Sequence, residues 1–103
     1  MTRWRKKPIA VNAFQMTKKR MNDDADWPGF ICNAWLAEED KPGALRVESM
    51  DGEGEVATLT IYTLEGPHIV QPDAWIVQGP LPPYEIWAVR DDIFRNTYEP
   101  VED

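Results

Sequence analysis

From residue 44 onward, glycine and proline cut the chain into pieces too short for anything but strands and turns. Within the pieces apolar residues alternate. Ala57, Leu59 and Ile61 take one side and Thr58, Thr60 and Tyr62 the other, which is the period of a half-buried strand. Asp51-Gly52-Glu53-Gly54-Glu55 before it and Glu65-Gly66-Pro67 after it read as turns, with Gly66 free to take positive φ. His68-Ile69-Val70 returns, Gln71-Pro72-Asp73 turns again, and Ala74-Trp75-Ile76-Val77 continues the meander. Gly79-Pro80-Leu81-Pro82-Pro83 is a stiff connection to a strand over 84–89, and residues 44–48 supply another short strand.

The first half differs. Residues 8–16 read as a mostly apolar first strand that Pro8 can open, since its missing N–H removes a ladder donor. Residues 17–26 are polar and read as a loop. A helix is predicted over 27–38. Trp27, Phe30, Ile31, Ala34 and Trp35 recur at spacings of three and four, Pro28 suits the first turn, and Asp23, Asp24 and Asp26 suit the N-terminal end. Lys41-Pro42-Gly43 stops it. Asp91 or Asp92 caps a short C-terminal helix through Ile93, Phe94 and Tyr98, ended by Pro100. The chain has 103 residues, 43% of them hydrophobic and 28% charged, enough for one core and not for two. The sum is a single α+β domain over 1–103. It is expected to be a small curved antiparallel sheet, barrel-like, with one main helix near residues 27–38 and a short C-terminal one.

Charge narrows the function. The net charge is −7, and it is segregated. Residues 1–20 hold Arg3, Arg5, Lys6, Lys7, Lys18, Lys19 and Arg20 and no acid. Residues 21–103 hold all 18 acids against Lys41, Arg46, Arg90 and Arg95. An acidic body repels phosphate, so direct nucleic-acid binding is not expected. The same surface can instead occupy a basic nucleic-acid site on another protein. No apolar run exceeds four residues, against about 20 for a membrane span. The N-terminal stretch lacks a secretion-signal pattern, and the lone Cys32 favours a reducing compartment.

Few residues point to chemistry. Cys32 beside the apolar helix face reads as an inert thiol, and His68 as a rim histidine. The acid-glycine alternation at 51–55 lacks calcium-loop spacing and reads as a solvated turn. One cysteine and one histidine cannot build a zinc site, and no metal or cofactor is expected. Pro80-Leu81-Pro82-Pro83 fits P-x-x-P but is explained by a stiff loop. Of the five tryptophans, Trp27, Trp35 and Trp75 fall on apolar patterns and read as core. Trp87, between Ile86 and Ala88, faces the other side of its strand. Beside Tyr84 it is a binding anchor unless the C-terminal helix covers it. Glu65, His68, Tyr84 and Trp87 are therefore the candidate binding residues.

Two stretches carry a resemblance. Arg5-Lys6-Lys7-Pro8-Ile9-Ala10-Val11-Asn12-Ala13-Phe14-Gln15 resembles the opening, of the form RKKPVxVEAFQW, of a group of small bacteriophage and prophage proteins. Tyr62-Thr63-Leu64-Glu65-Gly66, Gln71-Pro72-Asp73-Ala74-Trp75-Ile76-Val77 and Asp92-Ile93-Phe94-Arg95-Asn96-Thr97-Tyr98-Glu99-Pro100 are similar to that group's TLEG, PGDWI and KPDIFxxTYEP segments. Asn12 stands where the group often has Glu, Met16 where it has Trp, Asp73-Ala74 where it has Gly-Asp, and Arg90-Asp91 where it has Lys-Pro. The resemblance implies a phage gene product in bacterial host cytoplasm and carries over no reaction and no catalytic residue. The expected function is a non-enzymatic accessory protein that binds a host or phage protein, in its sharpest form an acidic inhibitor of a host defence or nucleic-acid enzyme. The alternative is a small-molecule binder or minor enzyme with a pocket in the curved sheet.

Overall fold

The computed structural model describes residues 2–4, 9–38 and 41–101. The strands are β1 (Asn12–Met16), β2 (Leu45–Met50), β3 (Val56–Thr63), β4 (Gly66–Val70), β5 (Ala74–Gln78) and β6 (Ile86–Val89). The helices are α1 (Lys18–Met21), α2 (Gly29–Leu36) and α3 (Asp91–Thr97). The α+β class holds. The expected single barrel-like sheet is instead two three-stranded antiparallel sheets, ordered β1-β5-β6 and β2-β3-β4 and not closed into a barrel.

The meander breaks between β4 and β5 because β5 is apolar on both faces. Ala74 and Ile76 point one way, Trp75 and Val77 the other, and all but Trp75 are buried. Such a strand needs cover on both sides. It leaves β4 and takes β1 as partner, with Phe14 opposite Ile76 and Met16 opposite Ala74. Met16, Ile76, Ile86, Leu45, Leu59, Ile61 and Val70 join the two sheets in one core, with Ile31 and Ala34 of α2 and Met21 of α1. The far face of β5 is covered by α3. The Trp75 ring stacks on Phe94 at 4.1 Å and 8°, and Phe94 lies 4.8 Å from Tyr98.

Four expectations change. The loop over 17–26 contains α1, whose N-cap Thr17 accepts from the Arg20 amide, and a 3₁₀ turn at Asp24–Asp26 capped by Asp23. One basic turn has no apolar period, and it is the buried Met21 that fixes α1. The helix predicted over 27–38 is shorter, with Pro28 as N-cap. Arg46 of β2 finishes it by donating to the carbonyls of Trp35 and Ala37, groups a helix end leaves without partners. Trp35 is not core: it is 40% exposed and meets Trp27 edge-on at 5.7 Å. The predicted first strand is seen from Asn12, and Pro8 lies outside the described residues.

The turn into β5 is closed by the Ala74 amide on the Gln71 carbonyl, with Asp73 at φ 73°. Pro72 followed by a positive-φ residue matches a type II turn, where glycine is the residue of choice. Among the described residues Asp73 uses only its backbone here, donating to Met16 O and accepting from Gln15 Nε2. Asp73→Gly is therefore expected to raise stability by about 0.5–1 kcal/mol, net of the extra freedom glycine has when unfolded. A urea titration that shows a lower midpoint would contradict this.

Candidate functional site

A cavity of about 620 Å³ opens where the β3–β4 hairpin faces the turn leading into β6. Thr63, Glu65 and His68 line it from the hairpin, and Tyr84, Glu85 and Trp87 from the other side. Ile86 lines it too, and Pro42, Gly43, Leu64 and Pro83 complete the wall. All four residues singled out from the sequence are thus brought to one cavity.

Local chemistry sets each wall. At the hairpin, Thr63 Oγ1 donates to the Gly66 carbonyl at 2.6 Å and accepts from the Glu65 amide at 3.2 Å. Gly66 sits at φ 118°, a conformation that L side chains rarely adopt. This holds Glu65 at an exposed tip. His68 is paired opposite Ile61, so it points to the same side as that core residue and is half-buried.

Across the cavity, the Tyr84 amide donates to the Leu81 carbonyl at 2.9 Å around a cis Pro82–Pro83 bond, a type VI turn. Tyr84 then takes φ 56°, which is why β6 starts at Ile86 and not at residue 84. A tyrosine there is held against its own preference, and the residue is 52% exposed. Ile86 and Ala88 join or pack against the core. Trp87 stands opposite Val77 on the other face. Its ring packs on Gly79, where an added Cβ would lie 3.6 Å from Cζ3. The C-terminal helix that was the competing cover for Trp87 lies on Trp75 instead.

Among the described residues the lining contains two carboxylates, Glu65 and Glu85, and no lysine or arginine. With the rings of Tyr84 and Trp87, it suits an occupant that joins an apolar body to a positive or donating head. Sequence reading missed Glu85, whose only signal is its place between Tyr84 and Trp87.

The other candidates lie elsewhere. Cys32 is half-buried on α2 with Sγ 3.6 Å from the Trp27 carbonyl, and does not share the cavity with His68. Asp51 is engaged. Its carboxylate accepts from Lys18 Nζ at 2.6 Å and from the amides of Glu53 and Glu55. Among the described residues no group of three or more His, Cys, Asp or Glu could hold a metal ion.

The Asp51 contacts give a pH dependence. The Lys18 hydrogen bond, helped by the amides of Glu55 and Glu53, lowers the Asp51 carboxyl from 3.8 to about 2. The same bond raises the Lys18 ammonium. A carboxyl depressed on folding stabilises fully above its unfolded value and loses that contribution as pH falls through the folded one. The expected acid limb therefore runs from about pH 5 down to about pH 2. Asp51→Asn keeps an acceptor for the two amides and is expected to flatten that limb, as measured by thermal melts at stepped pH. An unchanged slope would contradict the assignment.

No family model matches the chain, and neither a curated protein nor a solved structure matches it. Among the described residues, no helix is long and apolar enough to cross a membrane.

Proposed function

We propose that the chain is a bacteriophage or prophage accessory protein that acts in the host cytoplasm by binding another protein, without catalysing a reaction. The observation that carries this reading is the cavity itself: aromatic and apolar walls, two carboxylates and, among the described residues, no lysine or arginine in its lining. The partner is a host or phage protein that presents a basic, partly apolar surface. The excess of acids over bases in residues 21–103 supports a target whose basic site normally takes nucleic acid.

The test is an affinity pull-down of the tagged chain from bacterial host lysate, washed through stepped salt. Wild type and Tyr84→Ala run side by side, and retained proteins are identified by mass spectrometry. The expected result is one protein retained at low salt, lost at high salt, and depleted with Tyr84→Ala. A complex that survives molar salt unchanged would overturn the electrostatic form. A bait with no partner would favour the second reading, a small-molecule pocket. Its volume supports that reading, since ligand pockets run about 300–1,000 Å³. Native mass spectrometry then reads the bound mass.

A further inference from the structure

The division of charge along the chain has a place in the fold. Arg3 and Trp4 precede β1 in the basic segment, and Trp4 is 91% exposed. Tryptophan joins a large apolar ring to one N–H donor and is enriched among interface anchors. The cavity has the opposite character, with Glu65 and Glu85 beside the half-exposed Tyr84.

Strand register ties the two together. Asn12 pairs with Gln78, and Gln78 with Ile86. The chain therefore enters β1 at the end of the sheet where Tyr84 and Glu85 lead into β6. Two strand spacings place Asn12 roughly 10 Å from that cavity wall. At about 3.3 Å per residue, Trp4 can stand up to roughly 26 Å from Asn12. In the structure it lies in solvent and not on its own cavity.

We infer that the cavity of one molecule takes Arg3 and Trp4 of a second copy, the guanidinium facing Glu65 and Glu85 and the indole against Tyr84, in a reciprocal dimer. β1 starts at the end of the molecule where the cavity opens. Two copies set end to end about a twofold axis can therefore exchange Arg3 and Trp4 in both directions, and the contact closes. Arginine and tryptophan are the residues that anchor interfaces, and the charges are complementary. The inference uses the cavity that the partner-binding reading also uses, but its test reads self-association of the pure chain and not capture of a partner, so either can fail without the other.

Sedimentation velocity on the full chain tests it, at about 100 μM so that mass action favours association. Wild type is compared with Trp4→Ala and with the double change Glu65→Gln/Glu85→Gln, all at exposed side chains whose loss leaves the core intact. The expected result is a wild-type dimer whose dissociation constant rises at least about tenfold with either variant. Raising salt to about 0.5 M weakens it as well. A wild-type monomer at that concentration overturns the inference, and so does a dimer that either variant leaves intact.

Discussion

Ile61→Ala is expected to cost about 3–4 kcal/mol, the largest effect of any single change considered. Ile61 is fully buried at the centre of the β2-β3-β4 sheet, opposite Leu45 on one side and His68 on the other. Its neighbours are held by two strands and cannot close on the space left, so the lost burial and the residual void add. For a domain of this size the thermal midpoint should fall by roughly 12–30 °C. Because His68 is its cross-strand neighbour, the cavity wall loosens with it. Urea titration measures the effect, and a loss below about 1 kcal/mol would mean that the core sits elsewhere.

Asp91→Ala is expected to cost about 2 kcal/mol and to free α3 before the rest of the fold. One carboxylate oxygen, Asp91 Oδ1, accepts from Trp75 Nε1 at 2.9 Å, Arg95 Nε at 2.8 Å and Gln15 Nε2 at 3.3 Å. Removing it strands a part-buried indole N–H and leaves the ring stack alone to hold α3 on β5. Hydrogen exchange reads the result directly. The amides of α3 should exchange much faster in the variant while those of β3 change little. Equal loss of protection in both would show that α3 and the core unfold as one unit. Asp91→Asn keeps an acceptor for Trp75 and should cost less.

Asp91 also ties together three distant stretches of the chain. Gln15 comes from β1, Trp75 from β5, and Phe94 and Tyr98 from the C-terminal end. They meet around one oxygen and one stack of rings. Together they hold α3 on β5, and none of them lines the cavity. Asp91 puts a carboxylate at the first position of α3 and uses it as the fastening point.

Much of the fold was legible because single periods and breakers wrote it. The alternation of Ala57 to Tyr62 gave β3, and Glu65-Gly66-Pro67 gave the hairpin. What was not legible depended on distant partners. Nothing local says that β5 pairs with β1, since the ring of Trp75 finds its cover only on Phe94 of α3, far along the chain. Trp35 fits the apolar stripe, yet α2 is only eight residues long, and the ring meets Trp27 near its rim. At the cavity, Tyr84 and Trp87 were legible as aromatics beyond the core pattern. Their meeting with Glu65 and His68 depends on two sheets facing each other, and Glu85 carried no pattern of its own.

The prolines of the cavity wall have a thermodynamic consequence. Pro42 and Pro83 line it, and Pro80 and Pro82 hold the turn behind Tyr84. Their ring-locked φ angles leave little backbone freedom even in the unfolded chain. An occupant therefore meets a surface whose main chain has almost nothing left to order. The entropy lost on association falls on the side chains of Glu65, Tyr84 and Glu85, at about 0.5–1.5 kcal/mol for each one immobilised. It falls also on the occupant. A flexible occupant should thus show a markedly unfavourable entropy in calorimetry, and the same occupant made rigid should bind faster and tighter with no change in this chain.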